Sequence, residues 1–298
     1  MPRPGRTKDS LMDEPTAADP VAQMTEWRDS PAKRLAAAVT LPIFYLLNRP
    51  SLLWLAKAAY DFALRCNGIC INYKGRHGLT VGEEHFLRRH LKGVRSGIFF
   101  DVGANRGSYA NYLHMLVPDA RVYAFEPHPR SFALLAESAR SDNIVVVNRA
   151  LSDAPSHMKL YDFSDHDGST QASLSQDAVK LFSPSVVEHA VECTTLDIFM
   201  RENGIEKIDF LKVDTEGFDL SVLRGASSAL ADNRIGVIQF EFIPANIITK
   251  VRMRDFMELL HRYRIYRLCL NGSLIPLEPY DVKRCEIYAM QNLIAIAR

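Results

Sequence analysis

The stretch Phe99–Ala110, FFDVGANRGSYA, constrains this chain more than any other. An apolar run stops at Asp101; Gly103, Asn105 and Gly107 follow, and then a segment of helical character. Downstream, VYAFEP ends a second apolar run in Glu126, about twenty residues past the glycines. Strand, tight glycine turn, helix, second strand and terminal acid predict the nucleotide-binding half of a doubly wound α/β sheet. The acid suits a ribose, because one carboxylate accepts hydrogen bonds from both hydroxyls.

The turn itself argues against a dinucleotide. The pyrophosphate fingerprint is G-x-G-x-x-G, and counting from Gly103 its later positions hold Asn105 and Ser108. Asp101 adds an anion where pyrophosphate would be repelled. A ligand with an adenosine, a cation and no phosphate fits better. S-adenosylmethionine offers an ammonium to Asp101 and a ribose to Glu126, with Gly103, Asn105, Gly107, Pro127 and Ala150 as further cofactor contacts. The competing readings are an NAD-dependent oxidoreductase or epimerase, an ordinary αβ turn with two surface carboxylates, and a cofactor-binding scaffold without turnover.

DVGANRGSYA, AFEPHP and FLKVDTEGFDLSVLRGA together resemble the FkbM family of class I methyltransferases. The third motif, with Lys212, Asp214, Glu216, Gly217, Leu223, Gly225 and Ala226, is the most family-specific. The resemblance runs from about Ile98 to Ile296. It implies a Rossmann-like fold, S-adenosylmethionine as donor, and a hydroxyl acceptor on a sugar, glycolipid or secondary metabolite.

From Gly97 on, apolar runs and helical periods alternate, which favours a parallel sheet. Strands are predicted at Ile98–Val102, Arg121–Phe125, Ile144–Val147, Ile208–Val213 and Gly236–Phe242. Helices are predicted at Tyr109–Leu116, Pro129–Ser138, Leu196–Glu202, Leu220–Ala229 and Met253–Tyr263. Ile265–Leu270, the Asn271-Gly272 turn, Leu274-Ile275 and Ile287–Ile296 predict an antiparallel edge. Ser164–Ser175, rich in Ser, Asp and Gly, reads as a loop over the site.

Open α/β sheets bind ligands beyond the carboxyl ends of their strands, where Asp101, Glu126, Asp214, Glu216 and Glu241 converge. Methylation of an alcohol is helped by a positioned base. Asp214 is the preferred candidate, with Glu216 and Glu241 as the other catalytic acids. Glu216 alternatively caps the turn, and an acid inside QFEF is costly unless it faces a pocket. His128 either orients substrate or stands by. No spacing supports a metal site.

The remaining sequence sets bounds. A net charge of +1 lacks the basic face of a nucleic-acid binder. Five scattered cysteines point to free thiols in a reducing, cytoplasmic compartment. Residues 1–31, with mixed charge and no apolar period, are expected to be disordered, and 32–92 to form a helical extension to a methyltransferase domain at 93–298. The start of the chain has no signal-like apolar region, and no uncharged run reaches the length of a spanning helix. The apolar extension is expected to pack on the domain, to form a homodimer face, or to make a peripheral membrane contact.

Overall fold

The computed structural model describes residues 31–298, so the disorder expected for residues 1–31 lies outside the described residues except at Pro31, which opens a helix. The chain divides into two compact units, one reaching Tyr60 and one running from Asp61 to Arg298. The first contains helix α1 (Pro31–Leu47), a short 3-10 turn at Pro50–Leu52 and most of α2 (Leu53–Cys66). Among the described residues, no helix is long and apolar enough to cross a membrane.

The second unit is built on an eight-stranded sheet. Its strands are β1 (Ile98–Val102), β2 (Arg121–Phe125), β3 (Ile144–Val147), β7 (Ile208–Val213), β8 (Ile235–Phe242), β9 (Tyr263–Leu268), β10 (Leu274–Pro276) and β11 (Gln291–Ala297). They lie in the order β10-β9-β11-β8-β7-β1-β2-β3. From β3 to β8 every neighbouring pair is parallel; β11 runs antiparallel to both β8 and β9, and β10 is antiparallel to β9. The Asn-Gly turn joins β9 to β10, so the predicted antiparallel edge is present.

Alternation along β1 explains why both sheet faces are covered. Phe99 joins an apolar cluster with Leu87, Tyr109, Leu113, Val122 and Phe210, whereas Phe100 joins another with Phe125, Phe199, Leu211 and Phe240. Side chains on a strand point to opposite faces in turn, and a parallel sheet needs both faces apolar.

A small second sheet, absent from the sequence reading, holds β4 (Ala150–Leu151), β6 (Val186–Thr194) and β5 (Ser156–Phe163) in that order. The helix expected over Leu220–Ala229 is split into Asp219–Arg224 and Ser227–Ala231. The break falls at Gly225, where a Cβ would lie 2.0 Å from the Ser152 carbonyl oxygen. Only glycine permits the chain to pass this close.

The second unit begins before residue 93, the boundary read from sequence. Helix α3 (Val81–His90) opens with a capping box between Thr80 and Glu83. Residues 67–82 lie along the antiparallel edge: the Cys70 amide donates to the Met290 carbonyl at 2.8 Å, and Gly82 abuts Cys269.

Candidate active site

A cavity of about 500 Å³ opens beyond the carboxyl ends of the parallel strands. Its walls contain Gly103, Asn105, Glu126, Pro127, Ala150, Asp214, Glu216 and Glu241, all singled out from the sequence. Asp101 and Gly107 do not line it.

Asp101 lies beneath the wall, fully buried, with Lys212 Nζ 3.3 Å from its carboxylate. Its cation is therefore the chain's own lysine, which corrects the expectation that it receives a ligand's ammonium. Lys212 also reaches Asp214 at 3.2 Å and lies 5.2 Å from the centre of the Tyr109 ring. Burial would pull this ammonium down, but the charges of Asp214 and Asp101 outweigh it and hold Lys212 above its ordinary range. Burial raises Asp101, with Lys212 opposing the rise.

The glycine turn is folded against its own backbone. The amides of Gly103 and Ala104 donate to the Phe125 carbonyl at 3.0 and 2.9 Å, and the Asn105 amide donates to Glu126 Oε2 at 2.8 Å. A Cβ on Gly103, which sits at φ +79°, would lie 1.8 Å from the Asp214 carbonyl oxygen. The first three amides of the turn are thus committed, so they form no phosphate cradle of the dinucleotide type.

Glu126 accepts a second amide, that of His128, at 2.8 Å through Oε1. Each oxygen retains a lone pair for a ligand hydroxyl. Burial pushes its carboxyl up to about 7, against the two amides that favour the charged form.

At the opposite wall, Asp219 organises the turn after β7. It accepts the Thr215 amide and hydroxyl at 2.8 and 2.6 Å and the Glu241 amide at 3.0 Å. Burial, with Asp214 adding to it, raises Asp219 to about 7. Asp219 therefore does the capping considered for Glu216, whose carboxylate has no hydrogen-bond partner among the described residues. Burial first, and then the charge of Asp214, push both Glu216 and Glu241 well above the usual carboxylate range. Both therefore hold a proton more tightly than an ordinary carboxyl does.

Sequence reasoning gave no role to Lys212, and it overlooked Gln239 and Glu83. Lys212 and Gln239 are cross-strand partners on β7 and β8, and Asp101 on β1 pairs with Lys212. Tyr109 donates to Gln239 Oε1 at 2.7 Å, while Gln239 Nε2 donates to Glu83 at 2.6 Å and Asn292 at 3.2 Å. The available signal was a polar residue within each apolar strand, FLKV and VIQF.

The Ser164–Ser175 loop supplies a third wall through Ser169, Thr170, Gln171, Ala172, Ser173 and Leu174. Buried Asp162 accepts the amides of Gly168 and Ser169 at 2.7 and 2.8 Å. Asn105 and Ser173 then tie the loop to the two active-site turns, through the carbonyls of Ser169 and Glu216. His128 is fully buried outside the cavity lining, and its Nε2 lies 2.8 Å from Asp167, as does that of His189. These three side chains approach metal-ligand spacing, yet His128 Nδ1 accepts the Arg130 and Ser131 amides. In the neutral ring that arrangement puts the proton on Nε2, making it a donor to Asp167 rather than a free ligand. His128 is a latch for the loop.

The donor set can be tested against S-adenosylmethionine. The cavity is of ligand size, Glu126 has acceptor capacity for a ribose, and the carboxyls of Glu83, Glu126, Asp214, Glu216 and Glu241 line it. Among the described residues Lys212 is its buried cation, while Lys74, Arg106 and Arg149 in the lining are partly or fully exposed. These features fit a cationic nucleoside.

Comparison with known proteins agrees. Residues 101–267 match the model of the methyltransferase FkbM domain. The chain is 29% identical over 188 residues to the 2-O-methyltransferase NoeI of Sinorhizobium fredii, covering 53% of this chain and 77% of that one. It is 26% identical to the hexuronic acid methyltransferase AglP of Haloferax volcanii, covering 62% and 70%. It is 28% identical to the 31-O-demethyl-FK506 methyltransferase FkbM of Streptomyces tacrolimicus, covering 51% and 72%. With its parallel sheet, antiparallel edge and matched domain, the chain belongs to the FkbM family of S-adenosylmethionine-dependent class I methyltransferases.

Proposed function

We propose that this enzyme methylates a hydroxyl oxygen on a sugar, a glycolipid or a related secondary metabolite. One observation carries the reading: a cavity at the strand ends lined by five carboxyls, with Lys212 as its buried cation and the amides of Gly103, Ala104 and Asn105 already committed, so that these form no cradle for phosphate. The activities for which the relatives are named, on a 2-O position, a hexuronic acid and a 31-O position, support oxygen and carbohydrate-like acceptors.

When bound, S-adenosylmethionine supplies a methyl group already activated on a sulfonium. The chain's part is then alignment, charge and proton handling. Glu126 receives the ribose hydroxyls, while Gly103, Asn105, Pro127 and Ala150 shape the adjoining wall. Asp214, held by Lys212, is the group we assign to the acceptor hydroxyl or to the donor's methionyl end. Asp214 is the preferred base for the hydroxyl proton, with Glu216 and Glu241 as the alternative acids of the same wall.

Calorimetry tests donor choice: S-adenosylmethionine or its demethylated product binds, and NAD(H) does not. A panel of hydroxylated acceptors with labelled methyl donor tests the reaction, the expected product being an alkali-stable ether. Binding of NAD(H) without any response to the methyl donor would overturn the assignment.

A further inference from the structure

We propose that residues 35–66 dock on an anionic lipid surface, a role separate from methyl transfer. Between Leu35 and Leu47 the only polar side chains are Thr40 and Tyr45. Thr40 turns its hydroxyl back to the Ala36 carbonyl at 2.8 Å, leaving little for water to bind. Leu41, Phe44, Tyr45 and Leu46 are 69%, 61%, 78% and 58% exposed. A helix apolar on every side is stable only inside a core or in lipid.

Helix α2 complements it. Lys57, Asp61 and Arg65 recur every fourth residue and form one narrow polar stripe, with Leu53, Trp54, Leu55, Tyr60 and Phe62 around the remainder. A wide apolar face with interfacial aromatics is the pattern of a helix lying in the plane of a membrane surface. The apolar stretch of α1 would rise about 20 Å, against roughly 30 Å of hydrocarbon, so it enters one leaflet without crossing.

Charge selects the surface. Residues 31–66 carry Lys33, Arg34, Arg49, Lys57 and Arg65 against Asp61 alone, a net +4 in a chain whose total is +1. Basic residues flanking an apolar helix favour an anionic bilayer. A second copy of this chain is the weaker occupant, because a helix–helix seam covers one stripe of α1 and leaves its other sides in water.

The test uses the full chain with Trp27→Phe, which leaves Trp54 as the sole tryptophan reporter. With vesicles of phosphatidylglycerol and phosphatidylcholine, Trp54 emission should shift to the blue and be quenched by brominated acyl chains. Partition should fall at high salt and on pure phosphatidylcholine, and drop by at least ~10-fold in Leu46→Glu/Phe62→Glu. Calorimetric binding of S-adenosylmethionine by the same variant checks that it is folded. Trp54 emission unmoved by vesicles, equal partition to neutral vesicles, or lipid-free burial of Trp54 in a concentration-dependent dimer would each overturn the proposal.

Discussion

At the scale of single residues, the site is governed by how buried carboxyls share few cations. Burial pushes the Glu126 carboxyl up to about 7, and only its ionised form offers both oxygens to the ribose hydroxyls. Donor affinity should therefore rise as pH increases from 6 to 8. Binding should also release protons, because hydroxyl donors stabilise the charged form and lower the carboxyl. Calorimetry in buffers of different ionisation enthalpy measures that release; affinity flat in pH would remove Glu126 from the ribose. Asp214→Asn should reduce kcat by about 10²–10⁴ with donor affinity nearly kept if it is the base. Wild-type turnover in that variant, paired with a collapse in Glu241→Gln, would move the role to β8. Lys212→Met should destabilise the fold by roughly 3–5 kcal/mol, since it strands buried Asp101 without its cation. Adding Asp101→Asn should restore much of the loss in thermal unfolding, and a strictly additive pair would refute the coupling. Most of these acids were legible from sequence because each ends or interrupts an apolar strand. Asp101's true partner was not, since its lysine is more than a hundred positions away and meets it only through β1–β7 register.

At the scale of elements, the sequence revealed what its local chemistry determines. The central strands are short, largely apolar runs, and Asn271-Gly272 specifies the β9–β10 hairpin, so both were readable. Strands β5 and β6 were not. The inward positions of β5 run Met158, Leu160 and then Asp162, so an acid ends the apolar alternation that marks a strand. That acid is required by something no local pattern displays: four donors from Phe163, Gly168 and Ser169 in the loop it anchors. Asp162→Ala leaves those donors unpartnered, at about 1–3 kcal/mol for each that stays buried. The 164–175 loop should then open. Limited proteolysis within it should accelerate, and KM for the donor should rise more than kcat falls. Unchanged proteolysis and KM would mean the loop holds its shape without this clamp.

At the scale of the whole molecule, the cavity belongs to one compact unit. Its lining begins at Asn72, within the unit that starts at Asp61. Removing residues 1–60 should leave donor affinity within about twofold and a cooperative unfolding transition, because no lining residue and no hydrogen bond described at the site is lost. Removing residues 1–92 should abolish donor binding. That cut takes away Asn72, Lys74, Leu79, Thr80 and Glu83 from the wall. It also strips Gln239 of Glu83, leaving a buried amide donor short of a partner in the polar row across the sheet. The sequence boundary at 93 followed the start of the αβ alternation, whereas the structural one follows the segment that closes the antiparallel edge. Calorimetry and thermal melts on the two truncations separate these boundaries. Retained donor binding without residues 61–92 would return the boundary to 93, and lost binding without residues 1–60 would make the first unit part of the donor site.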